Sequence, residues 1–313
     1  MNNQLANTDC DLNNDKPTHP GLIPDWFYFL TILLMIGLII YVLIYVEPVP
    51  SFILDDSDPR TEKNIDKARI QALEPIMLWA DKNKIKSRYI PRNAKDLINL
   101  HTLNIGGQGL TSLPVSIGEL KNLEVIEARG NYLTNLPESI GQLSNLFWID
   151  LRDNRLTELP KSIKKLSNLT NISLDGNYLT AIPYSLRNHK QLVELTISGN
   201  KLTTLPDWLW EMTDLLALDV SGNPLSSLPD SIRNLKKLKI LKISDIQLTH
   251  LPEQIGGLHN LYWIDISGNE LIYIPDKVLD LVKANNINRN FFYYSGNPLS
   301  ETEQERIQKY LKN

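Results

Sequence analysis

Leu146-Phe147-Trp148-Ile149-Asp150-Leu151-Arg152-Asp153-Asn154-Arg155-Leu156-Thr157-Glu158-Leu159-Pro160-Lys161-Ser162-Ile163-Lys164-Lys165-Leu166-Ser167-Asn168 is one copy of a motif that recurs every 23 residues. Copies open at Leu100, Leu123, Leu146, Leu169, Leu192, Leu215, Leu238 and Leu261. A fixed period of roughly 20–50 residues marks a chain built from stacked units, a solenoid. With positions counted from each opening leucine, 1, 4, 6, 11, 14, 18 and 21 are apolar. In the second copy these are Leu123, Ile126, Ala128, Leu133, Leu136, Ile140 and Leu143. Positions 4 and 6 have strand spacing and share one face. Positions 14, 18 and 21 have near-helical spacing and return the chain along the outside. One unit cannot bury these side chains alone; stacked units can, with a parallel sheet along one side of a continuous core.

Two further columns give the motif its detail. Position 9 is asparagine in most copies: Asn131, Asn154, Asn177, Asn200, Asn223 and Asn269. A buried asparagine can donate to and accept from the backbone, which suits a turn with no sheet partner. Position 15 is proline in every copy, from Pro114 to Pro275. Proline fixes φ and lacks an N–H, which fits an extended turn ahead of a short helical segment. These residues resemble the leucine-rich repeat family, and the 23-residue period with its LPxxIxxL ending resembles the typical subclass. The resemblance implies an α/β right-handed horseshoe with a parallel concave sheet. It says little of function, because one fold hosts many functions. Gln108 and Ile246 stand where asparagine is expected. Ile246 should leave turn carbonyls short of a donor, giving a loosened turn or a bound water.

Outside residues 100–299 the sequence divides further. Residues 1–25, rich in Asn, Asp, Thr and Pro, read as a disordered tail. From Trp26 to Val46 there is no charge, and 14 of the residues are Leu, Ile, Phe or Val. As a helix this stretch is about 31 Å long, matching a bilayer core of about 30 Å. Its aliphatic content favours insertion by roughly 4–8 kcal/mol. No small-residue cleavage site follows, so the segment is expected to be a retained membrane anchor. Residues 47–60 read as a spacer, 61–99 as an N-terminal cap with Pro75 kinking or dividing its helix, and 300–313 as a C-terminal capping helix opened by Ser300 and Glu303. Phe292, Tyr294, Asn297 and Leu299 match positions 4, 6, 9 and 11 of a truncated ninth unit.

Arg60, Lys63, Lys67 and Arg69 follow the span, whereas only Lys16 precedes it. The positive-inside rule then places the repeats in the cytoplasm. The acids Glu47, Asp55, Asp56 and Asp58 lie nearer the span, so the opposite topology, with the repeats in the cell envelope, stays open. The net charge of −4 argues against a nucleic-acid partner. Cys10 is the only cysteine, so no intrachain disulfide forms. The five histidines show no metal spacing, and Gly106-Gly107-Gln108-Gly109 lacks the Lys-Ser/Thr of a phosphate loop. No nucleophile has a recognisable base, and no catalytic domain is expected after Leu299. The chain is expected to be neither an enzyme nor dependent on a metal or cofactor.

Function is then expected on the concave sheet, where positions 3, 5 and 7 alternate with the core. Two patches stand out: Glu127, Arg129, Trp148, Asp150 and Arg152 near one end, and Trp263, Asp265, Phe291 and Tyr293 near the other, with Asp219 between them. Exposed aromatics and arginines are enriched at binding hot spots. The alternative is that the charges neutralise one another across strands and the aromatics pack under the cap. The expectation is a membrane-anchored interaction module or scaffold with a protein partner; the alternative is an envelope receptor or adhesin. Trp148→Ala with Arg152→Ala should weaken capture and leave the unfolding midpoint nearly unchanged.

Overall fold

A computed structural model describes residues 59–285, 287 and 291–312. The expected anchor, Trp26 to Val46, and the tail before it lie outside the described residues. Among the described residues, no helix is long and apolar enough to cross a membrane.

The described part opens with α1 (Pro59–Lys82) and the short α2 (Ala94–Ile98). Pro75 stands inside α1, which is one helix rather than two. Leu73, Ile76 and Ala80 of α1 are buried and close the first edge of the core. Nine strands follow: β1 (Thr102–Asn104), β2 (Val125–Glu127), β3 (Trp148–Asp150), β4 (Asn171–Ser173), β5 (Glu194–Thr196), β6 (Ala217–Asp219), β7 (Ile240–Lys242), β8 (Trp263–Asp265) and β9 (Phe292–Tyr293). They form one open parallel sheet in sequence order. The register from β1 to β8 advances by the repeat length, as in Thr102↔Val125 and Val125↔Trp148. The period read from the leucines is therefore also the pairing register of the sheet.

Short 3₁₀ segments such as Glu138–Gln142 and Lys161–Lys165 carry the chain back. Each begins after the position-15 proline, whose extended φ (−68° at Pro137) sets the entry. The eighth return is a full helix, α3 (Asp276–Ala284), and α4 (Glu301–Lys312) ends the described part. Ser300 Oγ accepts the Glu303 N–H at 3.2 Å, as a capping box requires. The Glu303 carboxylate reaches elsewhere: it accepts the Ile274 N–H and pairs with Arg306.

The asparagine column is a hydrogen-bonded ladder. Asn177 Nδ2 donates to the carbonyls of Leu151 (3.0 Å), Leu174 (2.9 Å) and Asp175 (3.2 Å). Its Oδ1 accepts the Leu156 N–H at 2.9 Å, so each asparagine ties its own unit to the one before. Position 23 forms a second ladder, in which Asn122, Asn145, Asn168 and Asn260 donate to carbonyls of the preceding unit.

Ile246 overturns the expectation of a loosened turn. The carbonyls an asparagine there would serve already have donors: Val220 O takes Asn223 Nδ2, Ile243 O takes Asn269 Nδ2, and Ser244 O takes the Gly222 N–H. Asp245 (φ 53°) and Gln247 (φ 62°) flank Ile246 in left-handed conformation, just as Gly107 (φ 66°) and Gly109 (φ 70°) flank Gln108. In both units the next asparagine, Asn269 or Asn131, also accepts the N–H of the substituted residue. The adjustment falls on the amide of Leu225, which turns to Asn223 O, while Ser226 (φ 58°) donates to Ile246 O. The Ile246 side chain is fully buried. Ile246→Asn should therefore destabilise rather than tighten the turn, because it exchanges a fully buried apolar side chain for an amide in a turn whose carbonyls are not short of donors. A thermal melt should show a loss of about 1–3 kcal/mol. A rise in the midpoint would contradict this account of the turn.

His189 occupies the apolar position 21, filled elsewhere by Leu or Met. It is 2% exposed, and burial lowers its pKa, so the ring is neutral at pH 7. It serves as a core side chain.

Candidate functional site: the open face of the sheet

Because positions 4 and 6 point into the core, positions 3, 5 and 7 present a continuous second face. β1 shows the alternation plainly: Leu103 is buried, and Thr102 and Asn104 are exposed. Adjacent strands place residues 23 apart about 4.8 Å from each other, so charges along one column interact strongly.

At the β1–β3 end, Glu127 accepts a hydrogen bond from Asn104 Nδ2. Arg152 Nη2 lies 2.6 Å from Asp150 Oδ2, and its Nε lies 2.9 Å from Asp150 Oδ1. Asp150 is only 4% exposed, so this charge pair is largely desolvated. The sequence reading placed Asp150 on the surface; the structure buries it beneath the Arg152 guanidinium. Arg152→Ala would leave a buried carboxylate without that cation and destabilise the unit, so the expectation of an unchanged midpoint does not stand. Arg129 reaches sideways to Asp153, with Nε 3.0 Å from Oδ2. Trp148 is half-buried.

At the other end Trp263, expected to be exposed, is 7% exposed. Phe291 (5.1 Å between ring centroids) and Tyr293 (5.9 Å) pack against it. Lys242 Nζ lies 5.6 Å from the Trp263 ring centroid and 3.7 Å from Asp219 Oδ2. Asp265 Oδ1 accepts the Ser267 N–H and hydroxyl. Of this aromatic group only Tyr293, at 38%, is exposed.

Between the two ends lies a run of acids that the two-patch reading did not connect. Asp175 accepts Thr196 Oγ1 and the Ser198 N–H, each at 2.7 Å. Glu194 accepts Asn171 Nδ2 at 2.9 Å. Burial, reinforced by the Asp219 charge, pushes the Asp175 carboxyl up to about 6. Burial also raises Glu194, Asp219 and Glu127, although Arg152 and Lys242 act against it. The signal was available in sequence: Asp219 and Lys242 are one repeat apart in the same column, as are Glu127 and Asp150.

The Asp175 shift fixes the sign of a pH effect. The folded state holds its proton to higher pH than the unfolded state does. The associated stability is therefore complete below pH of about 4 and is lost as pH rises through about 6. Asp175→Asn should raise stability by about 1–2 kcal/mol at pH 7.5 and leave it unchanged near pH 4, in denaturant melts at the two values. An equal effect at both would exclude the titration as its cause.

The repeats carry the leucine-rich-repeat pattern. Residues 98–156 and 167–225 match the family model described as leucine rich repeat. The chain is similar to the leucine-rich-repeat ectodomain of the plant membrane receptor kinase GASSHO1/SCHENGEN3 from Arabidopsis thaliana, solved in complex with CASPARIAN STRIP INTEGRITY FACTOR 2. The identity is 30% over 60% of this chain and 23% of that one, with a TM-score of 0.51. A plant peptide hormone receptor, RGFR1, solved with RGF2, is 29% identical over 60% of this chain and 30% of that one, with a TM-score of 0.50. Internalin C2 from Listeria monocytogenes shares the fold at 20% identity over 75% of this chain and 96% of that one, with a TM-score of 0.55. The chain thus spans less than a third of the length of either plant receptor. No curated protein matches the sequence.

Proposed function

We propose that this chain is a membrane-anchored, non-enzymatic interaction module of the 23-residue leucine-rich-repeat type, and that it binds a protein or peptide partner on the open face of its sheet. The observation that carries the reading is the face itself. Nine strands in fixed register hold charged and aromatic side chains in place, so binding orders few groups and loses little entropy. The two plant receptors, each solved in complex with a partner, support an interaction role for repeats of this kind. The anchor is the segment from Trp26 to Val46. It confines the search for a partner to a membrane surface, with the repeats on the cytoplasmic side.

Trp148→Ala and Tyr293→Ala test the site, because neither leaves a buried charge unpaired. Each should weaken capture of the partner from solubilised membranes by about tenfold or more, the scale of a hot-spot residue. Each removes a side chain that is half-buried or packed on Trp263, so the midpoint should fall by no more than about 4 °C, as for a change of about 1 kcal/mol, with the protein still folded when capture is measured. Undiminished capture by the double variant would remove the open face as the site. Fusions at Asn313 test the topology: a fluorescent protein active in the cytoplasm supports it, and an active periplasmic phosphatase refutes it.

A further inference from the structure

We propose that the outer edge of β9 is a second docking site, which accepts an extended, uncharged peptide segment as a tenth, parallel strand. The ladder shows why. In each unit the N–H groups of positions 4, 6 and 8 point to the following strand. Ile264 donates to Phe291 O, Ile266 to Tyr293 O and Gly268 to Ser295 O, each at 2.8 Å. The equivalent donors of the last unit are Phe292, Tyr294 and Gly296, and among the described residues they meet no acceptor. Three donors at every second residue are the pattern that the carbonyls of an added parallel strand satisfy. Among the described residues from Phe292 to Gly296 there is no Lys, Pro or bulge of the kind that usually blunts an edge strand.

The space for the added strand is also present. Phe292, Tyr293, Tyr294, Gly296, Leu299 and Gln304 are among the residues lining a cavity of about 420 Å³ beside the edge. That volume lies within the range of about 300–1,000 Å³ typical of ligand sites. No lining residue is charged, in a chain in which 22% of residues are. The occupant that fits is therefore neutral in its side chains and held mainly through its backbone. This site lies on the rim of the sheet and meets the open face at Tyr293, which also lines the cavity; Gln304 belongs to the rim alone, so its variant tells the two sites apart.

The probe is the peptide acetyl-Val-Thr-Val-Thr-Val-amide, uncharged and strongly strand-forming, added to the full chain in detergent micelles. The expected result is that amide resonances of Phe292, Tyr294 and Gly296 shift and exchange more slowly. Those of Tyr293 and Ser295, which face β8, should change far less. Gln304→Trp, at an exposed position of α4, fills the cavity and should weaken binding about tenfold or more with the melting curve unchanged. No shift at millimolar peptide, shifts without the alternation, or binding that survives Gln304→Trp would each overturn the proposal.

Discussion

Asn177→Ala should lower the unfolding midpoint by about 6–12 °C, the equivalent of about 3 kcal/mol in a domain of this size. The side chain is 2% exposed, and its amide group makes three donor contacts and one acceptor contact with the backbone of two units. Deleting it leaves the Leu156 N–H without its acceptor in the core, at a desolvation cost of about 1–3 kcal/mol, and also removes the favourable bonds. Leu156 cannot easily copy the remedy of Leu225. There the chain turns through Pro224 and a left-handed Ser226, whereas the equivalent positions after Asn154 hold Arg155 and Thr157. Thermal unfolding followed by circular dichroism gives the number; a shift under about 2 °C would mean that the ladder is not a main support of the stack.

Gly141→Ala should be at least as damaging, about 3 kcal/mol or more, although alanine is ordinarily the better residue in a helical segment. A Cβ on Gly141 would lie 2.4 Å from Ser162 O and 2.5 Å from Ser162 Cβ. The obstacle is backbone, so the return segments of two neighbouring units would have to separate. Gly118 against Ser139 and Gly256 against Lys277 repeat the arrangement. Gly257 provides the control. Its nearest neighbour is the mobile end of Lys236, at 3.5 Å, so Gly257→Ala should be neutral within about 0.5 kcal/mol. If both glycines tolerate alanine equally, close packing of the return segments is not what holds them.

Strand register, the core columns and the position-9 ladder were legible in the sequence because a period of 23 forces every side chain into a column. The departures come from what a column cannot show. Ile246 looked like a defect, yet two left-handed neighbours and the adjacent asparagines close its turn. Asp150 and Trp263 were read as exposed by alternation alone. Whether a residue on an outer face is covered depends on its neighbours across the strands: Arg152 lies over one, and Phe291 and Tyr293 pack on the other. Lys242 was overlooked because its role, between Asp219 and Trp263, spans three strands. The expected anchor, Trp26 to Val46, was the strongest signal outside the repeats, and it rests on hydropathy and length.

The central claim is that the partner meets the open face of the sheet. Photo-crosslinking from a benzophenone side chain at single positions tests it most directly, with the full chain in native membranes. Probes replacing Trp148 and Tyr293 should form adducts with one and the same partner. A probe replacing Tyr184, 68% exposed on the return side, should form none. Adducts from the Tyr184 probe, with none from the other two, would contradict the account.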